Sequence, residues 1–319
     1  MQFFRGISVS SLQPVLMKQR ILCAIAVIAL CNILISCQKD SSGALSTAKL
    51  VFVFRFDSTQ VRLNNIGQSE PIPAGNAGQS PRFNNMSAHY VELAPNMLTG
   101  LGKGTVLYMA PETTSGGTRA IDFEKSKPVA NGETFLSLPL KDITPGEYEW
   151  LRLSLAYQNY DISYHIDTVI AGTRIRQDLN GTVASFIGYN TYLKNFMIKS
   201  QSIPVNGNRK QGYWGFETMV PGAGTTTLTG QAPEGSTTVV NPLFATSPVP
   251  QGSCVVTAAF APGKLKITGK ETADIVVEVV LSTNKSFEWK EVVQDNKWEP
   301  GKGEQVVDMG IRGMIPKIR

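Results

Sequence analysis

Tyr148-Glu-Trp-Leu-Arg-Leu-Ser-Leu-Ala-Tyr157 is the stretch that decides the fold class. Read with a period of two, it puts Tyr148, Trp150, Arg152 and Ser154 on one side and Leu151, Leu153 and Leu155 on the other. That is the pattern of a strand with one face on a core. The strand leaves a turn, Lys141-Asp-Ile-Thr-Pro-Gly-Glu147, in which Pro145 presets φ and Gly146 allows a positive φ beside it. Before the turn, Thr134-Phe-Leu-Ser-Leu-Pro-Leu140 alternates in the same way.

The same texture runs outward in both directions. Lys49-Leu-Val-Phe-Val-Phe-Arg-Phe-Asp57 is β-branched and aromatic, and Gln60-Val-Arg-Leu-Asn64 continues with period two. Residues 89–93 and 104–109 are further short runs, as are the aromatic stretch 183–198 and the glycine-interrupted 210–217. Residues 254–260 and 264–267, joined through Pro262-Gly263, predict a hairpin, and 274–281 predict a mostly apolar central strand. No amphipathic helix of four turns emerges. Many short strands between Gly/Pro turns predict an all-β chain, an antiparallel β-sandwich over 49–319 with few or no helices. Residues 220–253, rich in Gly, Pro, Thr and Ser, read as a functional loop or as the divide between two sub-domains, and 66–81 as a smaller loop.

Composition bounds the function classes. The chain has 319 residues, 42% hydrophobic and 17% charged, enough apolar mass for a core and too little charge for a disordered chain. Only two histidines are present, which weakens any mechanism built on a His cluster. Ile21 to Ser36 is a 16-residue apolar run behind Lys18 and Arg20, short for a bilayer span and right for a signal peptide. Without residues 1–36 the chain holds 27 basic against 25 acidic residues, so no basic surface argues for nucleic acid. Cys254 is the one cysteine beyond residue 37, so residues 38–319 hold no disulfide among themselves and no C-x-x-C redox or zinc site; it reads as a buried strand residue.

Leu34-Ile-Ser-Cys37 resembles a bacterial lipobox, in which the Cys37 thiol takes the diacylglycerol after cleavage behind a small residue. The resemblance implies a signal peptide over 1–36, a lipidated cysteine and polar linker over 37–48, and a partner in the membrane itself. Lys39-Asp40 resembles the surface-export signal of Bacteroidota lipoproteins, which implies an outer-membrane anchor facing the cell exterior. The run Leu138-Pro-Leu-Lys-Asp-Ile-Thr-Pro-Gly-Glu-Tyr-Glu-Trp-Leu-Arg-Leu-Ser-Leu155, with Gly212-Tyr-Trp-Gly-Phe-Glu217, is similar to the MbnP-like β-sandwich lipoproteins, a group linked to copper. No copper ligand carries over, since His89 and His165 lie far apart in the chain.

Two constellations are candidates for binding. Glu291, Asp295, Asn296 and Glu304 resemble a calcium loop in which oxygen side chains converge on one ion, although Val293, Asn296 and Lys302 stand where the template wants an oxygen, a glycine and a carboxylate. Tyr157, Tyr160, Tyr164, Tyr213 and Trp214, among Asn, Gln and Asp, suggest flat rings for a glycan, set against ordinary sheet packing. No Gly-x-Ser-x-Gly elbow and no singular carboxylate pair points to catalysis. The expectation is a non-enzymatic binding module for a glycan or a surface protein, with no resident cofactor other than calcium. The alternatives are a copper- or calcium-associated lipoprotein and a hydrolase with an unrecognised site.

Overall fold

Twenty strands run through the described residues. In chain order the first ten are β1 (Lys49–Asp57), β2 (Asn76–Gln79), β3 (Arg82–Ala94), β4 (Thr105–Met109), β5 (Glu112–Thr113), β6 (Ala120–Asp122), β7 (Thr134–Pro139), β8 (Gly146–Tyr148), β9 (Trp150–Ile170) and β10 (Thr173–Phe186). They are followed by β11 (Asn190–Met197), β12 (Ser202–Lys210), β13 (Tyr213–Val220), β14 (Gly224–Gln231), β15 (Cys254–Ala259), β16 (Leu265–Ile267), β17 (Ile275–Ser282), β18 (Phe287–Lys290), β19 (Val306–Asp308) and β20 (Met314–Ile318). The computed structural model describes residues 47–170, 172–232 and 253–319. Residues 1–46, which include Cys37 and the segment read as a signal peptide, residue 171 and residues 233–252 lie outside them. Ser46–Arg319 forms one compact unit.

The strands build a β-sandwich. One sheet has the order β20-β17-β1-β7; the larger one runs β14-β13-β10-β9-β3-β4, with β15 also paired to β9. Leu50, Phe52 and Phe54 of β1 and Val277, Val279 and Leu281 of β17 pack against Leu151, Leu153 and Leu155 of β9 in one buried cluster. Each such side chain contributes about 1.5–3 kcal/mol by leaving water. The alternation that singled out 151–155 is therefore the inner face of the large sheet. Its opposite face is covered in part by a third sheet, β12-β11-β6-β5, through Phe186, Leu193, Phe196, Ile198 and Tyr213. Gly215 allows this: a Cβ there would sit 2.8 Å from the Phe196 ring.

The phase of β9 changes at Ala156. Ser87 pairs with Tyr157 and Ala88 with Leu155, so Ala156 is an extra residue, a β-bulge. Its carbonyl accepts both Ile187 N–H (2.9 Å) and Gly188 N–H (3.0 Å). Before the bulge odd residues face the main core; after it the even ones do, as Tyr160, Ile162 and Tyr164 show, while Tyr157 turns to the opposite face.

Several sequence expectations change. Residues 60–64 are not a strand: Arg62 is buried and its guanidinium bonds Glu288 Oε2 (2.8 Å), which Arg312 also reaches (2.8 Å), so a buried ion network overrides the period-two pattern. Residues 254–260 and 264–267 do not form a hairpin, because β15 pairs with β9 and β16 with β8. Gly146 opens β8 and has no positive φ. The stretches 66–81 and 220–253 contain strands β2 and β14, since pairing to β18 and β13 outweighs their turn-rich composition. The sandwich also holds two parallel pairs, β1 with β17 and β6 with β11.

Candidate functional site

Beyond the first sheet's footprint, the main-core face of β9, β10, β13 and β14 is floor to a cavity of about 610 Å³, roofed by the segments around β18 and β19. Its walls include Tyr164, Trp214, Phe216, Phe287 and Trp298, with Val183, Leu228, Val306 and Met309. Two glycines explain why the space is open. Phe216 lies over Gly181, where a Cβ would be 2.2 Å from the ring, and Trp214 lies over Gly230, where a Cβ would be 2.4 Å away. The rings therefore lie flat on neighbouring strands and do not stand up to fill the volume. Trp298 ties the roof to the floor through Phe216 (6.3 Å, edge-on) and Tyr164 (6.1 Å, tilted), and packs edge-on against Phe287 within the roof (5.0 Å). Polar groups at the wall are few. The Tyr164 hydroxyl shares a hydrogen bond with Thr218 (2.9 Å), and Glu304 and Asp308 are the charged side chains in the lining.

The five aromatic residues expected to form a ring platform are distributed differently. Tyr164 and Trp214 line the cavity. Tyr160 is wholly buried, its hydroxyl donating to Met309 O (3.1 Å). Tyr157 and Tyr213 belong to the opposite face, in the cluster under the third sheet. Burial pushes the Tyr157 phenol up to about 12. The alternation explains the division: Tyr213 and Trp214 are neighbours in one strand and so point to opposite faces. An exposed strip of these rings is not what the fold builds.

Glu291, Asp295, Asn296 and Glu304 share one loop, but their oxygens are engaged by the chain. Glu291 accepts from Asp295 N–H (3.0 Å), Asn296 N–H (2.6 Å) and the Trp289 indole (2.6 Å). Glu304 accepts from Val292 N–H and Val293 N–H (both 3.0 Å) and from Glu299 N–H (2.6 Å). Asp295 accepts from Lys297 N–H (3.0 Å), and Asn296 stands at a positive φ of 60°. Backbone amides thus occupy the positions an ion would take, and the loop they close is part of the cavity roof. Among the described residues, no three His, Cys, Asp or Glu side chains converge to hold a metal ion.

Each histidine has a carboxylate partner that the sequence did not reveal. His89 Nε2 is 3.0 Å from Glu112 Oε1, which also accepts from Tyr189 (2.9 Å), while Arg119 holds the other oxygen. His89 is fully buried, and burial lowers its pKa against the pull of Glu112. His165 Nδ1 bonds Asp178 (2.6 Å). Among the described residues neither pair has a serine, threonine or cysteine bonded to it; Asp178 is held instead by Lys297 Nζ (2.9 Å). Cys254 is buried, its thiol pushed up to about 12 by burial, so it is not a nucleophile at neutral pH.

The sequence reading missed Gly181, Gly230, Trp298 and Phe287. The signal for the glycines is an aromatic residue directly across a strand pair from Gly230 (Trp214) and diagonal to Gly181 (Phe216, paired with Val183), visible only once the register is known. In comparisons with known proteins, no family model, no curated protein and no solved structure matches this chain.

Proposed function

We propose that this chain is a non-enzymatic binding module, carried on the outer membrane by a lipid on Cys37 and facing the cell exterior, and that its cavity holds a compact apolar molecule. The observation that supports this reading is the aromatic cavity. Its volume of about 610 Å³ lies within the range of small-molecule sites. Close-packed interiors leave few voids larger than water, so a space of this size, kept open by rings seated on Gly181 and Gly230, is a feature of the sequence. Glu304 and Asp308 at the wall disfavour an anionic ligand and leave neutral or cationic ones. An anchor at Cys37 would hold such a cavity close to a membrane, where neutral apolar molecules concentrate.

The test is a titration of residues 46–319 with the neutral dye N-phenyl-1-naphthylamine. Saturable one-to-one binding is expected, with emission from Trp214 and Trp298 quenched as the dye enters. Val306→Trp, which fills the cavity from the edge strand β19, should weaken binding at least tenfold at an unchanged Tm. Non-saturable binding, or binding indifferent to Val306→Trp, contradicts the proposal.

A further inference from the structure

The opposite face of the same ribbon carries a second, chemically different site. Past the bulge, the odd residues of β9 are Tyr157, Asn159, Asp161 and Ser163, and β10 sets Thr182 opposite Asp161 and Asn180 opposite Ser163. Two depressions of about 580 and 400 Å³ lie along this row and share Arg82, Asp161 and Lys199, so they form one groove. Its base is a preorganised network. Asn84 donates to Asn159 Oδ1 (2.9 Å) and Asp161 Oδ1 (3.3 Å), Thr182 donates to Asp161 (2.6 Å), and Asn159 donates to Ile198 O (2.8 Å). Burial would raise Asp161, but the Thr182, Arg82 and Asn84 hydrogen bonds outweigh it and keep the carboxylate ionised.

Four features define the occupant. The charged lining of the larger depression is two cations, Arg82 and Lys199, against two anions, Glu124 and Asp161, so no net charge favours a polyanion. The polar lining is rich in side-chain amides, which both donate and accept, as hydroxyl groups do. The Asn85 amide oxygen is buried there with no hydrogen-bond partner, and a buried polar atom in that state calls for a donor. At one end the half-buried Phe123 ring packs on Tyr157 (4.9 Å) and lines the larger depression, apolar surface beside the amides. We propose that this groove binds a neutral oligosaccharide, its hydroxyls on the Asn row and a sugar face against the Phe123 end. The site is separate from the aromatic cavity and does not depend on what fills it.

The test is calorimetry of the full chain in lipid nanodiscs, titrated with maltohexaose, xylohexaose, mannohexaose and chitohexaose. At least one should bind in the micromolar to millimolar range, and Asn85→Leu and Phe123→Ala should each weaken that binding at least tenfold. Leu at 85 removes the unpartnered oxygen without opening a void, so the fold should persist, verified by an unchanged Tm. Val306→Trp, on the other face, should leave sugar binding within twofold. If none of the four sugars binds, or if binding is the same in Asn85→Leu and Phe123→Ala, the proposal is overturned.

Discussion

The two faces of the β9–β10 ribbon differ completely in chemistry although they are written in the same residues. From 157 to 164, the sequence Tyr-Gln-Asn-Tyr-Asp-Ile-Ser-Tyr sends Tyr160, Ile162 and Tyr164 to the apolar side. Asn159, Asp161 and Ser163 go to the polar side, where they hydrogen-bond to Asn84, Thr182 and Asn180. One face is roofed by aromatic side chains and encloses space; the other is a bonded network with open amide groups. A period-two ribbon can therefore offer two unrelated surfaces, provided that its phase is fixed. Here the phase is fixed by the bulge at Ala156.

The comparison breaks most severely if that phase is shifted. Inserting one alanine between Tyr157 and Gln158 should exchange the two faces beyond the insertion, driving Asp161 toward the core and Tyr160 to the opposite face, because a one-residue slip moves every side chain across the sheet. The expected outcome is loss of cooperative unfolding in a denaturant titration followed by circular dichroism.

A smaller effect should separate the faces. Glu304→Ala leaves three backbone N–H groups of the cavity roof without their acceptor. A loss of about 3 kcal/mol in urea unfolding is expected, together with loss of dye binding and retention of sugar binding. For the same reason, chelation with EDTA should not move the Tm of the parent chain, because the Glu291 and Glu304 oxygens already accept N–H groups.

Gly230→Ala should cost about 2 kcal/mol by overpacking, since its Cβ would fall 2.4 Å from the Trp214 ring, and should weaken the dye severalfold. Gly301→Ala, where a Cβ meets nothing within 4 Å, is the control and should leave the unfolding midpoint nearly unchanged.

The smallest effect is in pH. The folded state lowers the His89 pKa through burial, so below the unfolded value of about 6.5 the unfolded chain binds more protons. Stability contributed by neutral His89 is then intact above pH 6.5 and is lost as pH falls toward the folded value. At pH 5.5 the loss is at most about 1.4 kcal/mol, and His89→Gln should flatten that part of the stability profile.

Strands were legible where one face alone meets the core: Lys49–Asp57 was found with its full boundaries, and Leu151, Leu153 and Leu155 on the right face. Where partners lie far away in the chain, local pattern failed. Arg62 belongs to an ion network closed by Glu288, more than two hundred residues distant, and a strand pattern over 60–64 carries no trace of it. Residues 157–164 stand out in the sequence for their rings and amides, yet the bulge that decides which of them meets which face depends on the pairing with β3. Of the expected aromatics, Tyr164 and Trp214 reached the cavity; the glycines that shape it were invisible without the register.

The most direct measurement is a paired titration, dye and oligosaccharide, of the parent chain, Val306→Trp and Asn85→Leu. Two independent faces predict that Val306→Trp loses the dye and keeps the sugar, while Asn85→Leu loses the sugar and keeps the dye. Loss of both ligands in either variant, or of neither in both, would contradict the account.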